Sequence, residues 1–242
     1  MLIWVGAIVV MVLATVFYQP AAAKTGSLLV WLNEKIYVMD IDTLVLERVG
    51  EATADDVISA APGCLGLTDT PCWVAAGKNL YRIRSAFYQV SGVTDSLPVG
   101  DGYQWISNGK FSWAPDGEWL AYNVWLPDEE QAELRLYNAR TTELRTVAVG
   151  ADALVAPAWS AACAGGIEAE GCRLAYKLAW IDMGGDEFFP GLKAVTLASA
   201  EEQTWEIPTD PIFELCWTPA GELLYSQPKR YFRHAADHSP AY

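Results

Sequence analysis

Cysteine is the residue type whose spacing here points to definite chemistry. Four of the five cysteines stand in close pairs, Cys64 with Cys72 and Cys163 with Cys172. The spacings are not Cys-x2-Cys, and the two histidines fall far along the chain, so the pattern predicts two local disulfides rather than a zinc site. Buried free thiols are the remaining alternative. Such bridges persist only in an oxidising compartment, where each loop closure would contribute about 2 to 3 kcal/mol. Cys216, next to Trp217, is expected as an inert buried thiol.

Other reactive groups are sparse. His234 and His238 flank Asp237, and on a helix that spacing would bring both imidazoles to one face and could hold a metal. In a polar terminal stretch they read instead as part of a disordered tail, so no metal and no cofactor is expected. A Ser-His-Asp set would have to borrow that tail, and neither a Gly-x-Ser-x-Gly elbow nor a glycine-rich phosphate loop is present. The 30 acidic residues can supply a carboxylate pair for glycoside hydrolysis, though nothing in the sequence singles out two of them. One acidic loop is more specific. Asp182, Asp186 and Glu187 sit beside Phe188 and Phe189, where carboxylates would take a cation or a basic side chain and the phenylalanines would anchor a partner. The alternative is a solvated loop whose phenylalanines tuck against the sheet. Asp128, Glu129 and Glu130 read as a solvated charge run.

The elements that must carry these groups are strands in a repeat. Phe111-Ser-Trp-Ala-Pro-Asp-Gly-Glu-Trp-Leu-Ala-Tyr122 is the best copy; Trp159-Ser160 with Arg173-Leu-Ala-Tyr176 is a second, and Trp217-Thr-Pro-Ala-Gly-Glu-Leu-Leu-Tyr225 a third. The tryptophan spacing suits a blade of four antiparallel strands. Within the best copy Pro115 presets φ for a turn, Asp116 can bond its own backbone and Gly117 accepts positive φ, between aromatic and β-branched flanks that favour strands. Structural roles are therefore expected for Pro115, Asp116 and Gly117, and core positions for Trp113, Trp159 and Trp217. The pattern resembles the PD-type repeat of TolB-like β-propellers, in which an aromatic residue precedes Ser-Pro-Asp-Gly and an Ala-Tyr or Ala-Phe strand follows. Ala220 replaces the turn aspartate in the third copy, and the second lacks Pro-Asp-Gly.

The expected fold is all-β, a propeller of four to five blades behind an N-terminal hydrophobic helix. Blade 1 (27–49) lacks an innermost strand; blades 2, 3 and 4 cover 57–93, 104–150 and 157–207, and blade 5 reaches only from 212 to 226. Either the inner strand of blade 5 completes blade 1 in a small closed ring, or the ring is incomplete, as in a truncated longer propeller; the second is the preferred expectation. Insertions at 126–133 and 181–191 make the same connection in successive blades and would share one rim.

Residues 1–18 carry no charged side chain, and Ala21-Ala-Ala23 precedes Lys24. This predicts a signal peptide over 1–23, with a retained transmembrane anchor or a different start codon as alternatives. No basic residue precedes the apolar run, and Lys24 alone would favour a cytoplasmic carboxyl side. The paired cysteines favour an extracytoplasmic domain: secreted, periplasmic or anchored facing outward. The expected layout is a propeller over 24–226 and a polar, disordered tail over 227–242.

A formal charge of −14 argues against nucleic acid and anionic membrane surfaces, because phosphate binding needs a basic face. It suits a cationic partner, a neutral sugar or a divalent ion, and it also serves solubility. Two classes of function follow. One is a noncatalytic module binding a protein, peptide or glycan through one propeller face; the other is a fragment of a propeller-containing hydrolase, either a glycosidase or a peptidase propeller.

Overall fold

The computed structural model describes residues 27–40, 44–52, 58–62, 72–84, 89–98, 105–106, 111–126, 131–151, 155–177, 191–206, 212, 214–227 and 230–234. Blade 1 consists of β1 (Ser27–Leu32), β2 (Lys35–Asp40) and β3 (Leu46–Glu51), and blade 2 of β4 (Ile58–Ala60), β5 (Cys72–Ala76), β6 (Asn79–Arg84) and β7 (Gln89–Ser96). Blade 3 contains β8 (Trp105–Ile106), β9 (Ser112–Trp113), β10 (Trp119–Leu126), β11 (Gln131–Asn138) and β12 (Leu144–Val149). Blade 4 contains β13 (Ala158–Trp159), β14 (Arg173–Lys177), β15 (Gly191–Thr196) and β16 (Glu201–Glu206); blade 5 contains β17 (Glu214–Trp217), β18 (Leu223–Gln227) and β19 (Arg230–His234). Each sheet is an antiparallel meander in chain order. In blade 3 the inner edge of β10 is shared, with β9 pairing at Leu120 and Ala121 and β8 at Val124 and Trp125.

The chain is an all-β propeller whose blades, among the described residues, pack in sequence without closing a ring. Alternation along each second strand sends one set of side chains to the preceding blade and the other to the following one. Leu120 and Tyr122 thus join the cluster shared with blade 2, while Trp119 and Ala121 join the one shared with blade 4. Blades 1 and 2 meet around Ile36, Val38, Val74 and Tyr81, and blades 4 and 5 around Ala175, Leu192, Leu223 and Tyr225.

One expectation about the fifth blade changes and one choice is decided. The stretch after Ser226 does not begin a tail, because Arg230-Tyr-Phe-Arg-His234 pairs along β18 as a third strand. His234 is the last residue of this strand, and Asp237 and His238 lie outside the described residues. Nor does β17 complete blade 1: it pairs with β18 and lies beside β13. Strand β17 thus belongs to a blade of its own, in line with the open ring preferred from the strand count. The segment 1–23 lies outside the described residues, and no helix among those described is long and apolar enough to cross a membrane.

Candidate functional site

A repeated bond sets the geometry of the scaffold. The indole N–H of Trp113 donates to the Ser59 carbonyl at 3.2 Å, that of Trp159 to Ser112 at 2.9 Å and that of Trp217 to Ala158 at 3.0 Å. Each tryptophan therefore ties its inner strand to the inner strand of the preceding blade. Each ring covers apolar area while its N–H satisfies a carbonyl of the preceding inner strand.

The first hairpin of each repeat solves one local problem in different ways. In blade 3 the Asp116 carboxylate accepts from the backbone N–H of Glu118 at 2.9 Å and of Trp119 at 3.3 Å, and Gly117 takes φ 74°. Burial pushes the Asp116 pKa above the ordinary carboxylate value, although both backbone bonds oppose the shift. In blade 4 the Ser160 hydroxyl accepts from Arg173 N–H at 2.9 Å, and in blade 5 Thr218 does so from Glu222 N–H at 3.1 Å. The missing Pro-Asp-Gly in blade 4 is replaced by a short 3-10 helix, Ala161–Gly165, and the disulfide Cys163–Cys172. Both of these sulfurs belong to fully buried residues. Cys72 is disulfide-bonded as well; its expected partner Cys64 lies outside the described residues.

These hairpins frame a groove of about 470 Å³ between blades 3 and 4. Its walls are the Asp116 turn, the β11–β12 turn with Asn138 and Arg140, and the disulfide loop near Glu168. Asn138 accepts from the N–H groups of Arg140 at 2.9 Å and Thr141 at 2.8 Å, which shapes the second wall. Arg145 crosses the groove: it stacks over Trp119 at 5.3 Å from the ring centre, donates to Glu143 at 2.7 Å within its own blade and to Glu168 at 2.7 Å in the next. Those two carboxylates raise its pKa further. Arg140 pairs with Glu118 at 2.9 Å. The arrangement presents an aromatic wall, two guanidinium groups and a local excess of carboxylate, which suits recognition of polar or charged groups.

The predicted acidic rim residues, Asp182, Asp186, Glu187, Phe188 and Phe189, lie outside the described residues. The groove sits at the disulfide-loop end of blade 4, from which β14 runs to Lys177. Its only sequence signal is the PD-type turn itself, because Arg145 and Glu168 come from separate blades and carry no common motif. Among the described residues no three histidine, cysteine or acidic side chains gather as a metal site.

Cys216 departs from its expected burial. It is exposed on β17, whose far face meets no further blade among the described residues. Partial desolvation, followed by the Glu214 carboxylate, raises its pKa.

No protein-family model matches the chain, and no curated protein matches it. Solved structures do. Dipeptidyl peptidase 4 of Porphyromonas gingivalis superposes with a TM-score of 0.51 at 11% identity, over 89% of this chain and 36% of the peptidase. KlAtg21, in complex with the coiled coil of AgAtg16, gives 0.50 at 10% identity over 86% of this chain and 60% of its counterpart. A putative TolB from Agrobacterium tumefaciens gives 0.49 at 13% identity over 90% of this chain and 69% of that protein. At these identities the likeness concerns the propeller-like fold alone.

Proposed function

We propose that the protein is a noncatalytic, extracytoplasmic β-propeller module of TolB-like repeat type, which recognises a protein, peptide or glycan through one propeller face. The observation that carries this reading is the groove between blades 3 and 4, where Arg145 lies against Trp119 and reaches carboxylates on both blades. Loops on a rigid sheet scaffold are the usual place for such recognition. The paired charges there can exchange a partner within the protein for one on a ligand, at little electrostatic cost at an exposed site.

The repeat assignment is supported by the Asp116 turn and by the recurring indole bonds. The compartment is supported by the Cys163–Cys172 bridge, which a reducing cytoplasm would open.

The test is a peptide and glycan array probed with the oxidised protein and with an Arg140→Ala/Glu168→Ala variant. Binding that falls about tenfold in the variant is expected. Undiminished binding would move the site off the groove, and turnover of an arrayed glycan or peptide by the parent protein would replace the binding reading with a hydrolytic one.

A further inference from the structure

Among the described residues three guanidinium groups lie over indoles: Arg82 over Trp73 at 5.8 Å, Arg145 over Trp119 at 5.3 Å and Arg173 over Trp217 at 4.4 Å from the ring centre. The last two differ in what fixes the cation. Arg173 is tied to backbone, donating to the Gly221 carbonyl of the next blade at 3.2 Å. Arg145 is held by side chains, its Nε donating to Glu143 and its Nη1 to Glu168, both at 2.7 Å. The Arg145 side chain is 39% exposed, and those of Glu143 and Glu168 are 46% and 63% exposed. Ion pairs this open are weak and can be exchanged for others at little cost.

Trp119, Glu143 and Glu168 thus form a receptor for a planar cation, and Arg145 shows how such a group lies in it: over the ring, with a carboxylate on each wall. Resting on the reading of this groove as the recognition surface, we infer that the groove takes an arginine side chain of a peptide ligand and that Arg145 is its internal competitor, occupying the same place until the ligand displaces it. Neither wall depends on Arg145. The Cys163–Cys172 bridge closes the loop that carries Glu168, and the Asn138 N–H donates to the Glu143 carbonyl at 2.9 Å.

Charge favours a basic occupant over an acidic one. Asp116, Glu118, Glu143 and Glu168 line the groove against Arg140 and Arg145, and both guanidinium groups are already paired with carboxylates. A chain of formal charge −14 also draws cations and repels anions at a distance. Arginine suits the place better than lysine, because a planar fork can stack on an indole while bonding both walls, whereas an ammonium is a compact, strongly hydrated point charge.

The experiment is an NMR titration of the oxidised full chain with N-acetyl-glycyl-arginyl-glycine amide and with its lysine counterpart, read at the backbone amides of residues 165–169. The arginine tripeptide should bind Arg145→Ala about fivefold more tightly than the parent, because the competitor is gone. The lysine tripeptide should gain less, and adding Glu143→Gln and Glu168→Gln to Arg145→Ala should abolish the gain. Arg145→Gln, which keeps the alkyl stem, gives the same reading should the alanine variant lose its folded spectrum. No saturable shift with the arginine tripeptide overturns the proposal. So does an unchanged affinity after removal of Arg145, or an equal gain for both tripeptides, which would reflect net charge alone. These outcomes bear on the ligand class. An arrayed ligand that still loses affinity on Arg140→Ala/Glu168→Ala keeps the groove as the recognition surface when the arginine tripeptide fails, whereas one indifferent to that change moves recognition elsewhere whatever the tripeptide does.

Discussion

The contact between blades 1 and 2 and the three later blade contacts use the same apolar strand pattern but place their largest residue on opposite sides. In the later contacts the tryptophan comes from the following blade's inner strand, Trp113, Trp159 or Trp217, and joins a cluster containing Ala75, Ala121 or Ala175 of the preceding blade. In the first contact the preceding blade supplies Trp31, and the following blade has Ala60. The first contact also leans on outer strands, with β3 against β6 and β7, whereas β4, β9, β13 and β17 succeed one another along the inner edge. The indole hydrogen bond is kept while its source is reassigned, because Trp31 donates to Ala52 within blade 1 and stays half exposed. The contact without an inner strand is thereby completed from what blade 1 does have.

That contrast is broken most easily at its tryptophans. Trp159→Ala should cost about 3 to 5 kcal/mol, the range for deleting a buried large aromatic side chain, while Trp31→Ala, half exposed, should cost about 1 kcal/mol. Equal shifts of the urea midpoint, at unchanged slope, would remove the distinction. On the interior side, replacing Cys163 and Cys172 together by alanine should cost about 2 to 3 kcal/mol from loop-closure entropy. The same change should weaken the Arg145 contact with Glu168, visible as faster exchange across residues 161–171. A wild-type midpoint in the double variant would make the bridge dispensable.

On the first side, a Cβ added at Gly50 would lie 2.5 Å from the Tyr81 ring. Gly50→Ala should therefore cost about 2 kcal/mol by overpacking, and most of that should vanish in a Tyr81→Leu background. A similar loss in both backgrounds would place the strain elsewhere. The smallest effect concerns pH. Burial raises the folded pKa of Asp116 above its unfolded value, so the folded state holds its proton more tightly, and this group's contribution to stability falls as pH rises through that interval. Asp116→Asn keeps a side-chain acceptor for Glu118 and Trp119 and should flatten the slope just above the usual carboxylate pKa. An unchanged slope in unfolding titrations from pH 4 to about 6 would assign it to other carboxylates.

Much of the architecture was legible because strands alternate and turns have chemistry. Lys35-Ile-Tyr and Asn79-Leu-Tyr announced equivalent strands, and Pro115-Asp-Gly117 announced a hairpin before any contact was known. The groove was not legible in the same way. Arg145, Trp119 and Glu168 meet across two blades, and only folding makes that separation short. Arg230–His234 was missed because a charged stretch near a terminus looks solvated until its backbone pairs along β18. The burial of Cys216 was misjudged because an inner strand is buried only when another blade follows it.

The sequence by itself determined the strand alternation, the blade spacing and the pairing of Cys163 with Cys172, all of which act over short stretches of chain. Tertiary structure alone decided which blade contributes each interfacial tryptophan, which carbonyl receives its indole N–H, and which strand edge stays open. Those outcomes depend on close packing and on satisfying buried donors between residues far apart in the chain.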